Sequence, residues 1–169
     1  MRYLRANAPF YRIDPDRIAS MGVSAGGHLA TMICLRDDPQ GPTGRTMFAV
    51  DCDGEVDMTK PGDQVMTQFD TILTFAMGHP KPWTQAELQD ISPTYFARPD
   101  ASVYIVHGDN DPNVFIPNAY WLSDALKAKG ADVSLHVVTG ADGKGHGNVW
   151  KSSQNLPALH KWLDERLKK

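Results

Sequence analysis

The chain alternates between short apolar runs and segments in which apolar positions recur every three or four residues. The first run, residues 18–21, breaks into glycines around Ser24. From about Ala25 the pattern becomes helical, with Leu29, Met32 and Ile33 on one face and Asp37-Asp38-Pro39 closing the segment. Residues 47–52 and 103–107 are continuous apolar runs bounded by turn residues, hence buried strands, and residues 133–138 read as a fourth. Between the third and fourth runs, Pro117 opens a helix that turns Ala119, Leu122 and Leu126 inward and ends at Gly130. The last helix, about 155–167, carries Leu156, Leu159, Leu163 and Leu167 on one stripe.

Two stretches are less regular. Residues 1–8 read as the end of a helix stopped by Pro9 and the turn Ile13-Asp14-Pro15-Asp16. Across 53–93 the periodicity weakens. A helix over 64–77 would turn Val65, Phe69, Ile72 and Phe75 or Ala76 inward, and a Pro-rich link leads to a short helix over 85–89. This stretch is expected to form a small cap within a single 1–169 domain. Strands alternating with helices predict an α/β fold: a mostly parallel sheet of about four strands, helices on both faces, joined by right-handed crossovers.

Bulk properties narrow the classes. With 169 residues and 41% hydrophobic content the chain can bury one sizeable core. A net charge of −3 without a basic stripe argues against nucleic acid as a partner. No run is long enough to span a membrane, so no membrane association is expected. The N-terminus has no secretion-signal pattern, which makes the cytoplasm the default compartment. Cys34 and Cys52 fit neither a metal-ligand spacing nor a disulfide framework and read as buried thiols.

Chemistry concentrates at Gly22-Val23-Ser24-Ala25-Gly26. A serine between glycines at minus two and plus two, after a strand and before a helix, sits on a turn too tight for side chains at Gly22 and Gly26. The helix then aims its free N–H groups, Ala25 first, at charge developing beside Ser24. A serine hydroxyl needs a base, and the base needs a carboxylate to fix its tautomer. In a parallel sheet these should come from loops at the C-terminal strand ends. Asp111 follows the third strand, with Asp109 as its competitor, and His146 follows the fourth in a glycine-rich loop. His28, His107 and His136 read as packing or hydrogen-bonding residues. Trp83 and Trp150 are candidates for lining a substrate pocket, whereas Trp121 and Trp162 sit beside leucines and read as packing. Asp51, Asp53, Glu55 and Asp57 lack the continuation of a calcium loop and read as solvated acids at a strand end; no metal is expected.

The order Ser, Asp, His, with Gly22-Val23-Ser24-Ala25-Gly26-Gly27-His28, the strand ending His107-Gly108-Asp109-Asn110-Asp111-Pro112-Asn113-Val114, and Gly145-His146-Gly147, resembles the α/β-hydrolase superfamily. Its nearest branch looks like the small carboxylesterases, acetylxylan-esterase-like and dienelactone-hydrolase-like enzymes, and the lead-in over 13–18 is typical of it. The resemblance implies Ser24 as nucleophile, His146 as base and then acid, Asp111 as orienting carboxylate, Ala25 N–H as one oxyanion donor, and no cofactor. The implied activity is hydrolysis of small or extended accessible esters through an acyl-enzyme. A weak or inactive remnant serving as a binding or assembly domain, and a serine peptidase, are the alternatives. Such enzymes usually carry further strands before the serine strand, one of whose loops gives a second oxyanion N–H, and this sequence does not contain them. The serine strand is therefore expected at a bare sheet edge, covered by a second copy in a homodimer.

Overall fold

The computed structural model describes residues 1–39, 44–60 and 69–168. Four strands, β1 (Ser20–Val23), β2 (Ala49–Cys52), β3 (Ser102–Gly108) and β4 (Asp132–Val138), form one wholly parallel sheet in the order β1-β2-β3-β4. The register sets Ser20 against Ala49, Ala49 against Val103 and Val103 against Val133. Strand alternation then divides the core. Ala49, Val103 and Ile105 face α3 (Ala25–Leu35) and α6 (Pro117–Ala128), which contribute Cys34, Leu35, Ala119, Leu122 and Leu126. Val50, Cys52, Tyr104 and Val106 face α7 (Leu156–Leu167), where Leu159 and Trp162 pack beside Phe48. Helices thus cover both faces, as the alternation of elements predicts. Neighbouring strands follow one another in sequence, so each connection crosses over in the same sense and every strand ends on the same edge of the sheet.

The remaining helices are short. α1 (Arg2–Ala6) and α2 (Ala8–Tyr11) replace the expected single N-terminal helix. Pro9 does not stop a helix but lies in the first turn of α2, where its missing N–H costs nothing. α4 (Phe69–Met77) and α5 (Gln85–Asp90) lie within the weakly periodic stretch, and a Thr84–Glu87 capping box starts α5. The expected start of the first of these helices, including Gln64 and Val65, lies outside the described residues. Within α4 the inward register differs from expectation: Leu73 is the buried residue, while Phe75 is 84% exposed.

The face of α3 also differs. Gly27, Ala30, Thr31, Cys34 and Leu35 meet the sheet, whereas Leu29 and Ile33 are exposed. Small residues let α3 lie close over β1 and β2, and the larger apolar side chains point elsewhere. Ser20 Oγ reinforces this contact, donating to Ala30 O at 2.8 Å and pairing with Thr46 Oγ1 at 2.9 Å.

Candidate active site

Ser24 joins β1 to α3 at φ 57° and ψ −127°, a region that L-residues rarely occupy. Two backbone bonds hold it there. Its N–H donates to Cys52 O at 2.8 Å, and its carbonyl accepts from His28 N–H at 3.0 Å. The turn demands a glycine at position 22, because a Cβ there would lie 2.0 Å from Gly26 O. The second demand falls on Gly27 rather than Gly26. A Cβ on Gly26 would meet nothing within 4 Å, whereas one on Gly27 would lie 2.3 Å from Asp51 Oδ1 and 3.1 Å from Cys52 O. What crowds the elbow is β2 beneath the helix start.

The other two expected residues are brought together. Asp111 is buried; its Oδ1 accepts the N–H groups of Asn113 at 2.7 Å and Val114 at 3.0 Å. Its Oδ2 receives His146 Nδ1 at 2.7 Å. An ionised carboxylate only accepts, so Nδ1 carries the proton and Nε2 keeps its lone pair. Asp109 plays no such part: its buried Oδ1 has no hydrogen-bond partner among the described residues.

Ser24, Ala25 and His146 line one cavity of about 470 Å³. Its polar wall also includes His28, Glu55 and Asn113, and Leu29, Met32, Met58, Ile72, Leu73 and Ile91 give it an apolar character. The apolar face of α3 that the sequence pattern marks is thus in part a cavity wall. Trp83 and Trp150 lie elsewhere: Trp83 donates Nε1–H to His79 O at 3.1 Å, and Trp150 packs against the α7 side of the core. Ala25 stands exposed at the first position of α3, on the same wall as the Ser24 hydroxyl.

Three of the four acids in and after β2 are not solvated. Asp51 and Asp53 are fully buried and Asp57 nearly so, because the chain crosses directly beneath the serine turn and the His146 loop. Asp53 Oδ2 accepts Gly147 N–H at 2.9 Å and its Oδ1 accepts Gly108 N–H at 3.2 Å. Burial raises the Asp53 pKa, against the pull of His107 and those two donors. Burial, with repulsion from Glu55 and Asp53, pushes Asp51 up to about 8, and the nearby Gly54 N–H only partly opposes it. Neither Asp51 oxygen makes a well-formed hydrogen bond among the described residues. Glu55 is raised by burial, its own N–H and His146 opposing, and Asp111 adding to the rise. His28 is lowered by burial although it bonds Glu55 O through Nδ1 at 2.9 Å, so it stays neutral. Strand-end acids on the catalytic edge of a parallel sheet were the signal available for Asp53 and Glu55.

His107 is wholly buried and donates Nε2–H to Val114 O at 2.7 Å, leaving Nδ1 without a partner among the described residues. One atom each from Asp53, Asp111 and His146 lie within 4.8 Å of one another, close enough to suggest a metal site. Their carboxylate oxygens are engaged instead: those of Asp53 accept from Gly108 and Gly147 N–H, and those of Asp111 from Asn113 and Val114 N–H and from His146 Nδ1–H.

A parallel sheet with a strained serine turn after β1, and an Asp–His pair from the loops after β3 and β4, defines an α/β-hydrolase fold of the esterase branch. The chain belongs to the BD-FAE family, whose model matches residues 1–126. It is 29% identical over 136 residues to the probable carboxylic ester hydrolase LipM of Mycobacterium tuberculosis, covering 75% of this chain and 32% of LipM. A truncated form of a carbohydrate esterase from gut microbiota superimposes with TM-score 0.78 at 26% identity, over 99% of this chain and 66% of that one. An acetyl ester-xyloside bifunctional hydrolase from Caldicellulosiruptor lactoaceticus matches with TM-score 0.76 at 21% identity, over 97% and 62%, a likeness of fold. The chain spans about a third of the length of LipM and somewhat under two thirds of these solved structures.

Proposed function

We propose that this chain hydrolyses carboxylic esters through an acyl-enzyme on Ser24. The observation that carries the reading is the 2.7 Å bond from His146 Nδ1 to Asp111, in a side chain that shares one cavity with Ser24 on its strained turn. His146 Nε2 takes the Ser24 proton as Oγ attacks the carbonyl carbon. Asp111 holds the ring and stabilises its charged form. The carbonyl oxygen, now negative, accepts the Ala25 N–H at the positive end of α3. Collapse expels the alcohol, which receives the proton from His146. Water then attacks the acyl-enzyme by the same route, releases the acid and restores the serine.

Family membership and the LipM likeness support an ester rather than a peptide bond. The apolar cavity suits the acyl group, leaving the alcohol toward solvent.

Hydrolysis of a chromogenic butyrate ester by wild type and by Ser24→Ala tests the reading. The variant is expected to lose at least about 10³-fold in kcat/KM. Equal rates overturn it.

A further inference from the structure

Among the described residues, three non-glycine residues adopt positive φ: Arg12, Ser24 and Asp53. Arg12 ends a surface helix and Ser24 carries the proposed nucleophile. Asp53, at φ 52°, has no part in the chemistry described above, yet it occupies the center of the catalytic edge. Its N–H extends the sheet ladder to Val106 O at 3.0 Å, and the left-handed backbone then turns its carboxylate toward the neighbouring loops.

There it does two things at once. Through Oδ1 it holds Gly108 N–H, at the end of β3 from which the chain runs on to Asp111. Through Oδ2 it holds Gly147 N–H, one peptide beyond His146. The loop after β4 is rich in glycine, and Gly147 sits at φ 77° close to Val23. The His146 ring is fixed by Asp111, but the backbone that carries it needs a separate anchor.

We propose that Asp53 is a positioning residue, its single carboxylate holding the Asp111-bearing and His146-bearing loops at the separation their hydrogen bond requires. This rests on the Ser24–His146–Asp111 reading. Two N–H donors want two acceptor oxygens, and only a carboxylate of this length supplies both. An asparagine keeps one acceptor and points an NH₂ group at the other N–H, so one loop is released. One carboxylate oxygen also lies within 4.8 Å of an atom each of His146 and Asp111, and His107 Nε2 is 4.0 Å away, so the anchor sits inside the cluster it holds together.

The test is Asp53→Asn in the full chain. It is assayed for butyrate ester hydrolysis and for phosphonylation of Ser24 by a chromogenic alkylphosphonate, which counts active sites by its burst and times serine attack. A displaced base predicts kcat down by about 10–100-fold, KM within about threefold, and per-site phosphonylation slowed by the same factor as kcat. Wild-type per-site rates with fewer titratable sites overturn the proposal in favour of a purely structural carboxylate. If Asp53→Asn does not fold, Asp53→Ser, which keeps one acceptor, takes its place with the same outcomes. A Ser24→Ala variant that still hydrolyses and phosphonylates would sink the triad reading itself, whatever Asp53 does.

Discussion

Asp51 sits under the serine turn with both oxygens lacking a well-formed bond, and Gly27 and Gly54 leave room for no more than its carboxyl. A buried, unpaired carboxylate is costly, so the group keeps its proton, its pKa raised from 3.8 to about 8 by burial first. The folded state then binds a proton that the unfolded chain releases above its own lower pKa. Stability therefore falls as pH rises from about 4 to about 8 and levels off beyond, with a slope approaching about 1.4 kcal/mol per pH unit. Asp51→Asn removes that slope. Urea unfolding of both proteins between pH 5 and 8 should show the variant gaining on wild type steadily as pH rises. A pH-independent difference would mean that Asp51 is already ionised in the fold. None of this was visible in the run Asp51, Asp53, Glu55 and Asp57, since alternate acids after a strand look the same whether they meet water or the floor of a site. The positions of the proposed triad were legible residue by residue: glycines mark the turn around Ser24, and strand-end positions mark Asp111 and His146, which the fold brings into one hydrogen bond. Choosing Asp111 over Asp109 needed the family pattern.

At the scale of elements, β3 and α6 were easy to read because they are buried on the sides their patterns imply. The misread faces have a common cause. Leu29 and Met32 on α3, and Ile72 on α4, look like core residues because an apolar cavity and a core place the same demand on a helix face. Ala30, Thr31 and Cys34 are the true packing face of α3, chosen for small size over β1 and β2, a criterion that hydrophobic periodicity does not register. The cavity wall makes its own prediction. If the acyl chain enters the space among Met32, Met58, Leu73 and Ile91, each added methylene is buried for about 0.8 kcal/mol, or about fourfold in kcat/KM. The series from acetate to hexanoate p-nitrophenyl esters should climb at that rate in wild type. Leu73→Ala should flatten it, since a buried side chain of the wall is removed. A flat wild-type series would place the acyl group outside this cavity.

The whole molecule presents one sheet edge that bears on its assembly. Among the described residues β1 pairs with β2 alone, so the far side of the serine strand offers unpaired backbone groups beside Met21, which is 48% exposed. Apolar, unpaired edges pair readily, and a second copy brings the same surface. Across a two-fold axis a strand meets its own copy antiparallel, so the two β1 strands would continue one sheet through the dimer. We propose that the chain forms this dimer. Because Ser24 directly follows β1, pairing there would also stiffen the strand that leads to the proposed nucleophile. Sedimentation of the chain at micromolar concentration should show a dimer. Met21→Lys, which sets a charge on each edge, should shift it toward monomer while leaving the Asp111–His146 pair untouched. A wild type that sediments only as monomer at that concentration would show that the edge stands unpaired in this chain.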